Sequence, residues 1–212
     1  LLVAAATTPI SAFLMGPQLD NLLAPHITVA QSLEIPAMVI NRDWHIHFFN
    51  DRMLALYNFT LGELDQVPPP KRNLLQLLFD PALPLQPTLV GNRPSWLRMA
   101  RQTIYGFKVA NQLCQFEDWY EDLVEQWMTL PEFEQNWHTV RTDQPFHLDP
   151  STQNLPASIQ LDTTIPHLNV EAALRPLLIS AGYYQFDFPQ IMALVPADEN
   201  TQITLSEASI VA

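Results

Sequence analysis

Residues 36–50 read PAMVINRDWHIHFFN, and this stretch decides the fold class. Ala37 to Ile40 is a short apolar run, followed by Asn41, Arg42 and Asp43, residues that favour turns. Residues 44–49 are aromatic and β-branched. Trp44, Ile46 and Phe48 alternate with His45, His47 and Phe49, the two-residue period of a strand. The stretch therefore predicts two strands around a turn.

On its C-terminal side the pattern becomes helical. Residues 51–57 predict a short helix capped by Asn50 or Asp51, residues 66–70 a proline-rich break, and residues 73–79 a helix stopped at Asp80-Pro81. Residues 82–94 read as a proline-rich loop. Ser95 suits the N-cap of a helix to about Lys108, in which Trp96, Met99, Ala100, Thr103, Ile104 and Phe107 recur at helical spacing. Residues 117–128 are more regular still. One stripe carries Phe116, Trp119, Tyr120, Leu123, Val124, Trp127 and Met128, and the other Glu117, Asp118, Glu121, Asp122 and Glu125. Pro131 opens a short helix to His138. Beyond Arg141 come short β-like runs at 145–148, 158–164, 177–188 and 191–195, and residues 198–212 read as a loose polar tail. A hairpin, then helices, then strands is an α+β order with one antiparallel sheet.

On the N-terminal side, residues 17–34 predict a linker helix, or a pair broken near Pro25. The uncharged run 1–19 is interrupted by Pro9 and Pro17, which argues against a membrane span, and no basic segment precedes it as in a signal peptide. Since the first residue is Leu1, the expectation is that an N-terminal portion of the protein lies upstream. The domain reading is 1–35 as helical lead-in, 36–197 as the main domain and 198–212 as tail.

Composition excludes several functions. The five glycines stand alone, so neither a P-loop nor a dinucleotide fingerprint is present, and no G-x-S-x-G elbow exists. The single cysteine, Cys114, excludes an intrachain disulfide framework and suits a reducing, cytoplasmic compartment. A formal net charge of −12 argues against nucleic-acid binding by this segment. His45 and His47 share a strand face but lack a third metal ligand, and the 117–125 carboxylates read as a solvated helix face. Cys114 with His138 carries no catalytic motif. The expectation is a non-enzyme that requires neither metal nor cofactor.

PAMVINRDWHIHFFN followed by RNLLQLLFDP (residues 72–81) resembles the paired signature of the MmyB-like transcription regulator ligand-binding domain. Pro36, Ala37, Val39, Arg42, Trp44, Asn50, Arg72, Asn73, Leu77, Leu78, Phe79, Asp80 and Pro81 fit the pattern. Trp96 with Ala100, and Leu130-Pro131-Glu132-Phe133 with Trp137, extend the likeness. His45, Phe49 and Gln76 depart from it, and residues 148–179 are longer than the family's strand connections. The resemblance implies a PAS-like antiparallel sheet with helices on one face. It also implies a partner domain, a DNA-binding helix-turn-helix absent from this chain, in a homodimeric bacterial regulator with no membrane attachment.

The expected ligand is small and apolar, fatty-acyl-like, held by Phe48, Leu54, Arg72, Leu78, Trp96, Met99, Thr103, Phe107, Trp127, Phe133 and Trp137. A carboxylate head would want Arg72, Arg98 or Arg101. The competing reading is a ligand-free dimerisation or interaction module whose aromatics only fill a core.

Overall fold

The computed structural model describes residues 17–143, 161–165, 170–179 and 189–208. Within them, helix α1 (Pro17–Ser32) precedes the hairpin β1 (Ala37–Ile40) and β2 (Ile46–Phe49). Helices α2 (Asp51–Leu56), α3 (Leu61–Gln66), α4 (Leu74–Phe79), α5 (Leu85–Leu89), α6 (Arg93–Ala110), α7 (Asp118–Met128) and α8 (Phe133–Thr139) come next. Strands β3 (Leu161–Ile165), β4 (Val170–Ile179) and β5 (Gln190–Pro196) complete the sheet, and α9 (Glu199–Ala208) closes the described chain. The sheet order is β2-β1-β5-β4-β3, every pair antiparallel. This is the expected α+β, PAS-like arrangement.

Both faces of the sheet are covered, and strand alternation sorts the side chains between them. Met38 and Ile40 of β1 and Met192 and Leu194 of β5 join the large core beneath α2–α8. Ala37, Val39, Ile191 and Ala193 face the other way and meet Leu23 and Ala30 of α1. A strand buried on both sides must be apolar at every position, which is why β1 reads AMVI without a break. The linker helix predicted at 17–34 is thus one helix, with Pro25 inside it, and it packs on the sheet.

The hairpin departs from simple alternation. Ile40 pairs with Ile46 but Val39 with Phe48, so His47 is an inserted residue, a β-bulge. The bulge reverses the facing of the next two side chains. Phe49, 4% exposed, enters the large core, whereas Phe48 packs on the α1 side. The turn ends on Trp44 at φ 61°, a left-handed conformation uncommon for a bulky residue. Its ring is held edge-on against Phe107 at 5.6 Å.

Arg72, Asn73 and Asp80 hold local structure. Ile46 N donates to Arg72 O and Leu74 N to Trp44 O, so this segment covers the free edge of β2. Asn73 caps α4 through Leu75 N and donates to Asp43 O. Asp80 accepts from Gln76 Nε2, Ala82 N and Lys71 Nζ.

Other elements depart from the sequence expectations. The loop predicted at 82–94 contains α5, where Pro87 falls in the first turn and so removes no helical hydrogen bond. Helix α6 starts earlier than Ser95, capped by Asn92 accepting from Ser95 N. Helix α8 starts after Pro131, with Glu132 at φ 63°. Strand β4 begins at Val170 and runs through Pro176. Strand β3 pairs only with Val170–Leu174, so at Pro176 one edge of β4 has no strand partner among the described residues. Of the tail read at 198–212, Glu199–Ala208 form α9, capped by Asp198 accepting from Thr201 N and tied to the sheet by Ala173 N donating to Thr201 Oγ1, and residues 209–212 lie outside the described residues. The strand expected at 145–148 lies outside the described residues.

Candidate functional site

Helix α6 supplies the centre of the site. Its stripe of Trp96, Met99, Ala100, Thr103, Ile104 and Phe107 is buried, because those positions recur every three or four residues on one face. Tyr120 and Trp127 of α7 and Phe133 of α8 close on it. The rings meet in series: Trp96–Phe79 at 5.6 Å, Phe79–Phe133 at 5.1 Å, Phe133–Trp127 at 5.7 Å and Trp127–Phe107 at 5.1 Å. Phe107 stacks on Tyr120 at 5.4 Å and Phe133 on Trp137 at 5.4 Å, carrying the network out to the surface.

Two polar groups inside this network are hydrogen-bonded and a third, among the described residues, is not. Trp96 Nε1 donates to Leu78 O and Thr103 Oγ1 to Met99 O. Trp127 is fully buried, yet its Nε1 has no acceptor among the described residues. An indole N–H in that position lacks a hydrogen bond that water would have given it.

Where the network reaches the surface there is a cleft of about 610 Å³, within the size range of small-molecule sites. Tyr120, Val124, Met128 and Trp137 give it apolar walls, and Lys108, Gln112, Gln115, Glu121, Glu125 and Thr142 a polar rim. Lys108 Nζ donates to Trp137 O at 2.6 Å and Val140 O at 2.8 Å, and lies 4.2 Å from the Trp137 ring centre. Burial lowers its ammonium pKa to about 8. No carboxylate is paired with it among the described residues, so the cleft offers one cation against an aromatic wall.

The eleven expected residues do not form one cluster. Leu78, Trp96, Met99, Thr103, Phe107, Trp127 and Phe133 come together as core. Trp137 stands at the cleft. Phe48 and Leu54 line a different cleft, about 730 Å³, between the end of α1 and helices α2 and α3. The bulge at His47 is what sends Phe48 there. Arg72 is held locally: Nε donates to Val67 O, Nη2 to Asp65 O, and its charge faces Asp65 at 3.8 Å. Arg101 is tied to Asn136 Oδ1. The cation at the cleft is Lys108, which sequence reasoning missed. Its only signal was its place in the last turn of α6, beside Phe107.

Two other groups stand apart. His45 and His47 have ring centres 4.9 Å apart, and burial holds both pKa values down, that of His47 at about 4. No cluster of three or more metal-ligating side chains occurs among the described residues. Asn50, 3% exposed, ties three segments together. Its Oδ1 accepts from Ala37 N and Met53 N, and its Nδ2 donates to the carbonyls of Ala30, Leu33 and Ile35.

The family signature of the MmyB-like transcription regulator ligand binding domain matches residues 17–173, about three quarters of the chain. The chain belongs to that family. No curated protein matches it. The match begins at the first residue of α1, so the helix on the outer face is part of the MmyB-like domain. The domain is therefore a ligand-sensing module of a transcription regulator. No helix among the described residues is long and apolar enough to cross a membrane.

Proposed function

We propose that this MmyB-like domain binds a small apolar acid, fatty-acyl-like, with its carboxylate at Lys108 and its chain against Trp137, Tyr120, Val124 and Met128. The observation that carries the reading is the ammonium of Lys108, without a carboxylate partner among the described residues, at the open end of the aromatic network. Burying about ten methylenes contributes roughly 8 kcal/mol before the costs of association.

The ligand alters DNA binding by a helix-turn-helix domain joined through α1. The route is the sheet: Met38 and Met192 face the ligand side, and their neighbours Val39 and Ile191 face α1. A ligand shifts α1 only by binding one arrangement more tightly than the other. In this reading the regulator is a cytoplasmic homodimer, and the domain senses rather than catalyses.

Tryptophan fluorescence titration with saturated carboxylates of increasing chain length tests the proposal. We expect affinity to rise with length. Lys108→Gln should weaken binding by about tenfold or more, the usual worth of a charge-assisted hydrogen bond. Equal affinity in the variant contradicts the site.

A second reading is favoured by the packing itself. Trp96, Phe107, Trp127 and Phe133 are at most 2% exposed and joined ring to ring, Trp96 through Phe79, as a filled core requires. On this reading the domain is a ligand-free dimerisation module. No response to any carboxylate would favour it.

A further inference from the structure

The turn between α6 and α7 is fixed from beneath and apolar on top. Asn111, 1% exposed, donates from Nδ2 to Arg42 O and Phe107 O. The buried Cys114 donates its N–H to Asn111 O and accepts from Arg42 Nη1 at its Sγ, and Glu117 N donates to Cys114 O. Between these anchors Leu113 is 95% exposed and Phe116 82%, with Val109 at 44%. Large apolar side chains on a turn this well held add nothing to the core, and they are already positioned for a partner.

The surroundings restrict the chemistry of that partner. From Val109 to Val140 the chain contains neither lysine nor arginine. Helix α7 and its cap add Glu117, Asp118, Glu121, Asp122 and Glu125 beside the turn, all but Glu117 exposed. Lys108, the nearest cation in sequence, directs its ammonium to the carbonyls of Trp137 and Val140, and Arg42 reaches the turn from beneath, at Cys114 Sγ. Such a rim repels phosphate, and so nucleic acid and anionic membranes, and it repels a second copy of itself. It attracts a basic surface.

From the apolar turn and the acidic flank that α7 gives it, we infer that Leu113 and Phe116 form a docking site for a basic amphipathic helix of a partner protein. The two side chains seat in the apolar face of that helix, and its lysines or arginines flank α7. The site borders the Lys108 cleft and shares Glu121 and Glu125 with its rim, while Leu113 and Phe116 lie outside that cleft, so the serine double variant tests docking alone.

The test uses the full chain and two labelled helical peptides of about 18 residues, one of leucine and lysine, the other of leucine and glutamate. Fluorescence anisotropy should show binding of the lysine peptide alone. Leu113→Ser with Phe116→Ser should weaken it by about tenfold or more, with unchanged thermal unfolding, because neither side chain is buried. Glu121→Gln with Asp122→Asn and Glu125→Gln should flatten the salt dependence. Backbone amide shifts on binding should centre on residues 109–125. Equal binding of the glutamate peptide, undiminished binding by the serine double variant, or shifts centred elsewhere overturns the inference.

Discussion

Asn50 shows how one side chain can decide a junction. It is the N-cap of α2, and it also satisfies the first N–H of β1, the Ala30 carbonyl in the last turn of α1 and the carbonyls of Leu33 and Ile35 beyond it. Asn50→Ala strands several buried polar groups, each costing roughly 1–3 kcal/mol. We expect a total loss of about 3–5 kcal/mol in urea unfolding. Asn50→Asp should be nearly as harmful, because a carboxylate keeps the two acceptor roles but faces three carbonyls it cannot donate to. A mild Asp variant would show that the amide donors matter little. The capping role was legible in the sequence; the bonds to Ala30, Leu33 and Ile35 were not, since a capping pattern in sequence says nothing of partners on another element.

His47 gives a pH dependence with a defined sign. Its pKa is held at about 4 in the folded chain, against 6.5 when free, so the unfolded chain binds more protons between those values. Stability contributed by the neutral ring is complete above about pH 6.5 and is lost progressively as pH falls towards 4. At most this amounts to about 3 kcal/mol. The neighbouring His45 is shifted in the same direction, while burial raises the Asp43 carboxyl, which acts in the opposite sense. The contribution is therefore read as a difference: His47→Asn should lessen the loss of stability between about pH 6.5 and 4. An unchanged slope would contradict it. Nothing in the sequence marked His47 as the inserted residue of a bulge, because a two-residue period carries no sign of where it slips.

At the scale of elements, α1 and the sheet fit because their contact residues are small. Ala30, Ala37 and Ala193 are wholly buried between them. Ala193→Leu should overpack this interface at a cost of about 1–3 kcal/mol, while Met192 and Leu194 keep the opposite core intact. Hydrogen exchange should quicken in residues 17–32 and remain slow in α6. Equal loss in both would mean that α1 and the main core open as one unit. Helices α6 and α7 were legible because their stripes are long and regular. Short α5 and α9 were not: the first lies among prolines, and the second gains its order from Thr201 and β4 rather than from its own pattern. Pro176 hid β4 for a related reason, since proline speaks against a strand until its neighbours are known.

For the whole molecule, the resemblance carried by residues 36–50 and 72–81 predicted the family, yet its polar signature residues Arg72, Asn73 and Asp80 hold the hairpin and α4 together. The seven buried candidates from Leu78 to Phe133 were found as a group because apolar periodicity reports burial. It cannot tell a wall from a filling, and it passes over a lysine whose aliphatic stem lies on an aromatic ring. That lysine should also set the pH range of binding. Carboxylate affinity should hold below about pH 8 and fall above it, as the Lys108 ammonium loses its proton. A flat profile from about pH 7 to 9.5 would place the head group elsewhere.

The most direct test is native mass spectrometry of the purified chain, with organic extraction of whatever accompanies it. A one-to-one complex with a small aliphatic acid is expected, co-purified or formed on adding a medium-chain carboxylate, and markedly depleted in Lys108→Gln. A clean spectrum that no added carboxylate changes would contradict it.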